Sequence, residues 1–120
     1  DAFKMACIRG HLQIAQWITN INPFINIDCV CSAFRHSCHT GQLHIVQWLH
    51  SKYVDCIDMS TLCKAFLYSC GNNKLNVAQW LYSVLLSSNF NELNKVIHKG
   101  YSVAKHFGGS TTKLWLSNIK

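Results

Sequence analysis

Apolar positions along the chain recur in a fixed order. Phe3, Ala6 and Cys7 stand at the i, i+3, i+4 spacing of one helix face, and a break follows at Gly10. Leu12, Ile14, Ala15, Trp17, Ile18 and Ile21 then resume helical spacing with a broad apolar face. The order returns as Ala33-Phe34…Cys38…Gly41…Leu43…Ile45-Val46-Gln47-Trp48-Leu49, and again as Ala65-Phe66…Cys70…Asn73…Leu75…Val77-Ala78-Gln79-Trp80-Leu81. Trp17, Trp48 and Trp80 are 31 and 32 residues apart, a period that belongs to stacked repeats rather than to a closed globule.

Each unit predicts two antiparallel helices around a tight turn. Capping-type residues, Asp1 and Ser32, stand where the first helix is expected to start, and the third copy has Lys64 there. The central Gly10 and Gly41 fit a left-handed helix end, and Asn73 is the next most tolerant residue at that place. One such helix pair cannot bury both of its apolar sides, whereas stacked neighbours can. The Trp stripe, Trp17, Trp48, Trp80 and Trp115, is therefore expected to pack into the core.

Beyond Ser83 the pattern blurs, then returns as Gly100-Tyr101…Ala104…Gly108…Leu114-Trp115-Leu116. Trp115 lies 35 residues after Trp80, so a longer connector is expected over residues 82–99. Ser110, Thr112 and Lys113 replace the apolar residues of earlier copies, the expected polar face of a terminal repeat. The predicted units are 1–31, 32–63, 64–99 and a degenerate C-terminal capping unit, 100–120. Position 1 is Asp and repeat one is as apolar as the internal ones, so the chain is expected to be an excerpt of a longer array.

The unit resembles the ankyrin repeat. Phe3 takes the Leu place of the family's Thr-Pro-Leu-His-x-Ala-Ala motif, Ala6-Cys7 the Ala-Ala place, Gly10-His11 the Gly-His place, and Ile14-Ala15 with Trp17-Ile18 the paired aliphatics. The form with Ala-Phe at the start and Gln-Trp-Leu at the end is similar to ankyrin arrays of large DNA viruses of amoebae and of amoebae themselves. Thr-Pro is missing in every copy, and the family's His is replaced by Lys4, Arg35 and Leu67. Ile27-Asp28 and Ile57-Asp58 resemble the family's Val-Asn after the second helix, but the next helix follows too soon for a full β-hairpin finger. The expected fold is an all-α solenoid of stacked helix-turn-helix repeats with short or irregular fingers.

The resemblance implies a non-catalytic scaffold that binds a protein partner through its concave face, which the first helices line in the family. By register, Met5, Arg9, His36, His39, Tyr68 and Asn72 are the candidate contact residues, with Tyr68 and Arg9 the stronger anchors. Val103 and His106-Phe107 share their register. These positions vary between copies while the core positions do not.

Composition changes this picture little. Seven cysteines is an odd count, and Cys7, Cys38 and Cys70 share one buried register, which favours free thiols in a reduced, intracellular and cytoplasmic setting (host cytoplasm for a virus). No apolar run approaches the length of a membrane span, and no membrane partner is expected. The net charge of +6 is uneven: Lys95, Lys99, Lys105, Lys113 and Lys120 follow the last carboxylate. This basic end is the alternative site, an electrostatic surface for nucleic acid or another acidic partner. The lysines are spread along the chain and no Arg accompanies them, so the scaffold reading leads.

Other chemistry is weaker. Cys29, Cys31, His36, Cys38 and His39 concentrate soft ligands, but no second distant ligand pair follows, and repeat register accounts for Cys31 and Cys38. Gly108-Gly109-Ser110-Thr111-Thr112-Lys113 has the composition of a phosphate loop in the wrong order and without a strand. Seven His residues stand beside only five carboxylates, with no recognisable triad. No enzyme activity, metal or cofactor is expected.

Overall fold

The turns set the fold's unit. Gly10, Gly41 and Gly108 hold φ near 80°, and Asn73 holds 56°, so every break in the apolar pattern is a left-handed turn. Each closes with an amide reaching back across the helix end: His11 N to Ala6 O, Gln42 N to Ser37 O, Lys74 N to Ser69 O and Gly109 N to Ala104 O, at 2.7–2.9 Å.

The computed structural model describes residues 2–88 and 91–119. Among these residues it contains eight helices and no strand: α1 (Ala2–Ile8), α2 (Leu12–Ile21), α3 (Ile27–Thr40), α4 (Leu43–Lys52), α5 (Met59–Gly71), α6 (Leu75–Ser87), α7 (Leu93–His106) and α8 (Ser110–Ile119). The chain is an all-α solenoid of four helix pairs, extending 44 × 28 × 18 Å.

Odd-numbered helices pack closely on one another along the stack, whereas even-numbered helices barely touch. Small residues permit this: Ala33, Ala65 and Gly100 share one register and are buried, and a Cβ on Gly100 would come within 2.9 Å of the Phe66 ring. Close packing on one side and loose packing on the other bends the array, and the odd helices line its inner face.

Helix starts differ from the sequence expectation. Ser32 and Lys64 lie inside α3 and α5; the N-caps are Asn26, whose side chain accepts from Asp28 N at 2.7 Å, and Asp58, which accepts from Thr61 N at 2.9 Å. The hydrogen bond donated by the Thr61 amide, with a further contribution from the Thr61 side chain, holds the Asp58 carboxyl below its usual range. Asp1 lies outside the described residues. The structural equivalent of Ile57-Asp58 is Ile25-Asn26, because Ile27-Asp28 already belongs to the first turn of α3. The segment 82–99 is helix for most of its length. α6 is three residues longer than α2 and α4, about one turn, and this extension takes up the longer spacing.

Three members of the Trp stripe, Trp48, Trp80 and Trp115, are half-buried rather than fully buried. Trp48 reaches back to Phe3, with ring centroids 6.4 Å apart, and Trp115 reaches back to Phe66 at 6.5 Å. Trp17 is 61% exposed, and Ile14 and Ile21, also expected in the core, are 50% and 63% exposed. The counterparts of Ile14 in the next two units, Ile45 and Val77, are buried. Thr112, expected on the polar face of a terminal unit, is fully buried at this same register.

Units are also tied by hydrogen bonds. Gln42 Nε2 donates to Ile8 O at 3.2 Å, and Thr112 donates from both N and Oγ1 to Asn73 Oδ1, each at 3.0 Å. These bonds join adjacent units along the array.

Ser37 is the exception in this core. Its hydroxyl is fully buried without a partner, whereas its counterpart Ser69 donates to Ala65 O at 2.9 Å. Ala6 and Ala104 fill the same register without a hydroxyl. Ser37→Ala is expected to stabilise the chain by about 1 kcal/mol, because an unsatisfied buried group is removed. Urea denaturation checks it: a lower midpoint in the variant would show that the hydroxyl contributes favourably.

Candidate binding face

The inner face is built from the last turns of α3, α5 and α7. Helical periodicity puts His36, His39, Tyr68 and Asn72 on the sides of these helices that the core does not use, and all four are exposed. The structure brings His39, Tyr68 and Asn72 together with Leu67, Gly71, Val103 and Phe107 around a groove of about 440 Å³. His39 and Tyr68 also line a smaller cleft of about 180 Å³ with Arg35 and His36, so the two cavities adjoin across these side chains.

Gly71 makes the groove possible. Its register holds Ile8 in α1 and His39 in α3, and a Cβ at Gly71 would already lie 3.0 Å from Val103 Cγ1. With no side chain there, α7 presents Val103 and Phe107 across an open floor. Tyr68 is 45% exposed and Phe107 67% exposed, apolar area that the fold leaves to solvent. His36 is pinned: its Nδ1 lies 2.7 Å from Ser32 O, so the Nδ1 proton is donated to that carbonyl.

Met5 and Arg9 are exposed on α1 and its turn, but neither lines the groove. Leu67 lines the groove and Arg35 the smaller cleft beside it; both were missed as contact residues, because the ankyrin resemblance assigns their register to an inter-repeat His. The signal was present in the sequence: an Arg and a Leu at one register cannot serve the same hydrogen-bonding role.

The basic end does not form one cluster. Lys95 and Lys99 point about 40° apart on α7, while Lys105 lies about 120° from Lys99 around the same helix. Lys113 is half-buried on α8, and Lys120 lies outside the described residues. Lys95 was expected to face no acid, but its Nζ is 3.9 Å from Glu92 Oε1, one turn earlier.

The thiols of the repeated register are poor nucleophiles. Burial pushes the Cys7 and Cys70 thiols up to about 12, with Cys29 adding to the shift at Cys7, and it pushes Cys38 in the same direction. Among the described residues all seven cysteines are free, and no three of His, Cys, Asp and Glu are placed to hold a metal ion. No helix among them is long and apolar enough to cross a membrane.

On the outer side His50 packs edge-on against Trp80, centroids 5.3 Å apart, and burial lowers its pKa. A depressed imidazole pKa favours the neutral ring in the fold. Its stabilising contribution is present above the unfolded value of about 6.5 and is lost as pH falls toward the folded value. Melting temperature is therefore expected to fall more between pH 7.5 and pH 5.5 in the parent than in His50→Phe, which keeps an aromatic contact without a proton. Parallel pH dependences would remove His50 from the acid response.

Residues 3–50, which span the first two helix pairs, match the family model for ankyrin repeats in many copies. The searches of curated proteins and of solved structures returned no match.

Proposed function

We propose that this ankyrin-repeat protein is a protein-interaction scaffold whose inner helical face binds a partner. The observation that carries the reading is the open groove on the α5–α7 face, flanked by positions that change from unit to unit. At one register Met5, His36, Tyr68 and Val103 replace one another, while the core register Phe3, Phe34 and Phe66 stays fixed. A pre-formed helical face loses little conformational entropy on binding, so modest contacts suffice for recognition. The proposed function is recognition rather than catalysis, with Tyr68 and Arg9 as anchors. Met5, His36, His39 and Asn72 supply the surrounding contacts.

The repeat boundaries, the membership of a longer array and the cytoplasmic setting belong to this same reading. The assignment to arrays of amoebal and viral type rests on the Ala-Phe…Gln-Trp-Leu phrase.

The test is affinity capture from native extract by the full-length protein, with and without nuclease, beside a Tyr68→Ala/Arg9→Ala variant. A partner that survives nuclease and weakens at least tenfold in the variant is expected, since aromatic and Arg anchors carry a large share of interface energy. Tyr68 and Arg9 are exposed, so the variant's melting temperature should stay within a few degrees of the parent. Capture lost with nuclease, or lost when Lys99 and Lys105 are replaced by Ala, would move the function to nucleic acid or an acidic surface at the basic end.

A further inference from the structure

We infer that the groove between α3, α5 and α7 takes an acidic peptide with an apolar or aromatic anchor residue. This rests on the scaffold reading above and names its partner's chemistry. The anchor half follows from the floor. Leu67, Val103 and Phe107 with the Tyr68 ring make an apolar slot, and its volume of about 440 Å³ admits one or two large side chains.

The acidic half follows from where the charges lie. Arg35, His36 and His39 border the slot on one side, and His106 stands beside Phe107 with ring centroids 4.7 Å apart. Lys105 lies next to it on α7. Asp28, Asp58 and Glu92 sit at the opposite ends of α3, α5 and α7, in or just before their first turns. At 1.5 Å per residue the path from Asp28 to His39 is about 16 Å, and from Glu92 to Phe107 about 22 Å. Both exceed the Debye length of about 8 Å in physiological salt, so these carboxylates do not neutralise the groove. Arg35 lies more than a turn earlier, and among the described residues no carboxylate pairs with it. An unpaired guanidinium beside an apolar slot fits a carboxylate next to a Leu or Phe.

The experiment is fluorescence anisotropy on the chain with four labelled probes. These are a decapeptide of Asp and Glu around a central Leu-Phe, the same peptide with Ala-Ala at the centre, a Lys-rich peptide with Leu-Phe, and a single-stranded DNA of similar charge. The acidic Leu-Phe peptide is expected to bind most tightly, at least tenfold better than its Ala-Ala form. Tyr68→Ala and Phe107→Ala should each weaken it about tenfold, and Arg35→Gln should weaken it about threefold to tenfold and flatten its salt dependence. Both aromatic residues are exposed, so circular dichroism should show both variants folded.

No binding of the acidic peptide overturns the inference, as does equal binding of the Ala-Ala form. DNA binding that ignores Tyr68 and Phe107, without selective uptake of the acidic Leu-Phe peptide, overturns it too. Tight, Tyr68-dependent binding of the Lys-rich peptide alone would end the acidic assignment while leaving the scaffold reading intact. That reading is judged separately, by nuclease-resistant capture.

Discussion

Phe66→Ala is expected to be among the most damaging single substitutions in the chain, costing about 3–5 kcal/mol. Phe66 is fully buried between α5 and α7, meets the Trp115 ring at 6.5 Å and lies directly under Gly100. Truncation leaves a cavity that the close α5–α7 approach cannot collapse, because α7 is already held at backbone distance by Gly100. In a stack each unit contacts only its neighbours, so no distant core compensates. Against a total of about 5–15 kcal/mol for a domain, the loss should lower the melting temperature by roughly 10–25 °C. It should also be polar along the array: amide exchange should rise first in α7 and α8 while α1 to α4 keep their protection. The control is Phe107→Ala, an aromatic that is mostly exposed, expected to cost under about 0.5 kcal/mol. Equal exchange in all eight helices would mean that the units unfold as one block.

What could be read from the sequence follows from which features are local. The left-handed turns were legible because only Gly and Asn tolerate that conformation at little cost, so Gly10, Gly41, Asn73 and Gly108 announce themselves. The core register was legible because Phe3, Phe34 and Phe66 repeat without change. Helix starts were not. The conspicuous phrase begins at Ala33, well inside α3, and the first turn of that helix reads as connector because its Asp and Cys residues carry no periodic signal. A longer spacing cannot distinguish three loop residues from one added turn of α6. Exposure of Ile14 and Trp17 depends on what lies beside the unit, which no pattern within the unit encodes.

The binding face was legible by register, in that Tyr68, His39 and Asn72 belong to one side of the stack. The groove itself was not, because a missing side chain at Gly71 creates it and Phe107 from the next unit closes it. Arg35 carried the wrong label for the same reason. Its register reads as an inter-repeat tie, whereas here hydrogen bonds from Gln42 and Thr112 join adjacent units.

Asn73→Ala is the second substitution expected to be costly, at about 2–4 kcal/mol, and its argument separates two causes. The first is conformational: alanine at φ 56° loses about 1 kcal/mol that glycine or asparagine does not. The second is a cap supplied by one unit to the next. α8 begins at Ser110, so Thr112 N is one of the helix-end amides without an internal acceptor, and Asn73 Oδ1 takes it at 3.0 Å together with the Thr112 hydroxyl. The residue before α8 cannot do this. It is Gly109, where any Cβ would fall 2.7 Å from Cys70 O. Thr112 is fully buried, so water cannot replace the lost acceptor, and about 1–3 kcal/mol goes with it. Asn73→Gly should therefore lose only the second contribution. Asn73→Asp should lose neither, since its carboxylate accepts both bonds and faces the positive end of α8. Urea denaturation of the three variants gives the order Asp, Gly, Ala from most to least stable. Thr112→Val should show coupling to Asn73→Gly in a double-mutant cycle. If Gly matches the parent, the cap contributes nothing, and if Gly and Ala fall together, the left-handed turn is not what selected Asn at this position.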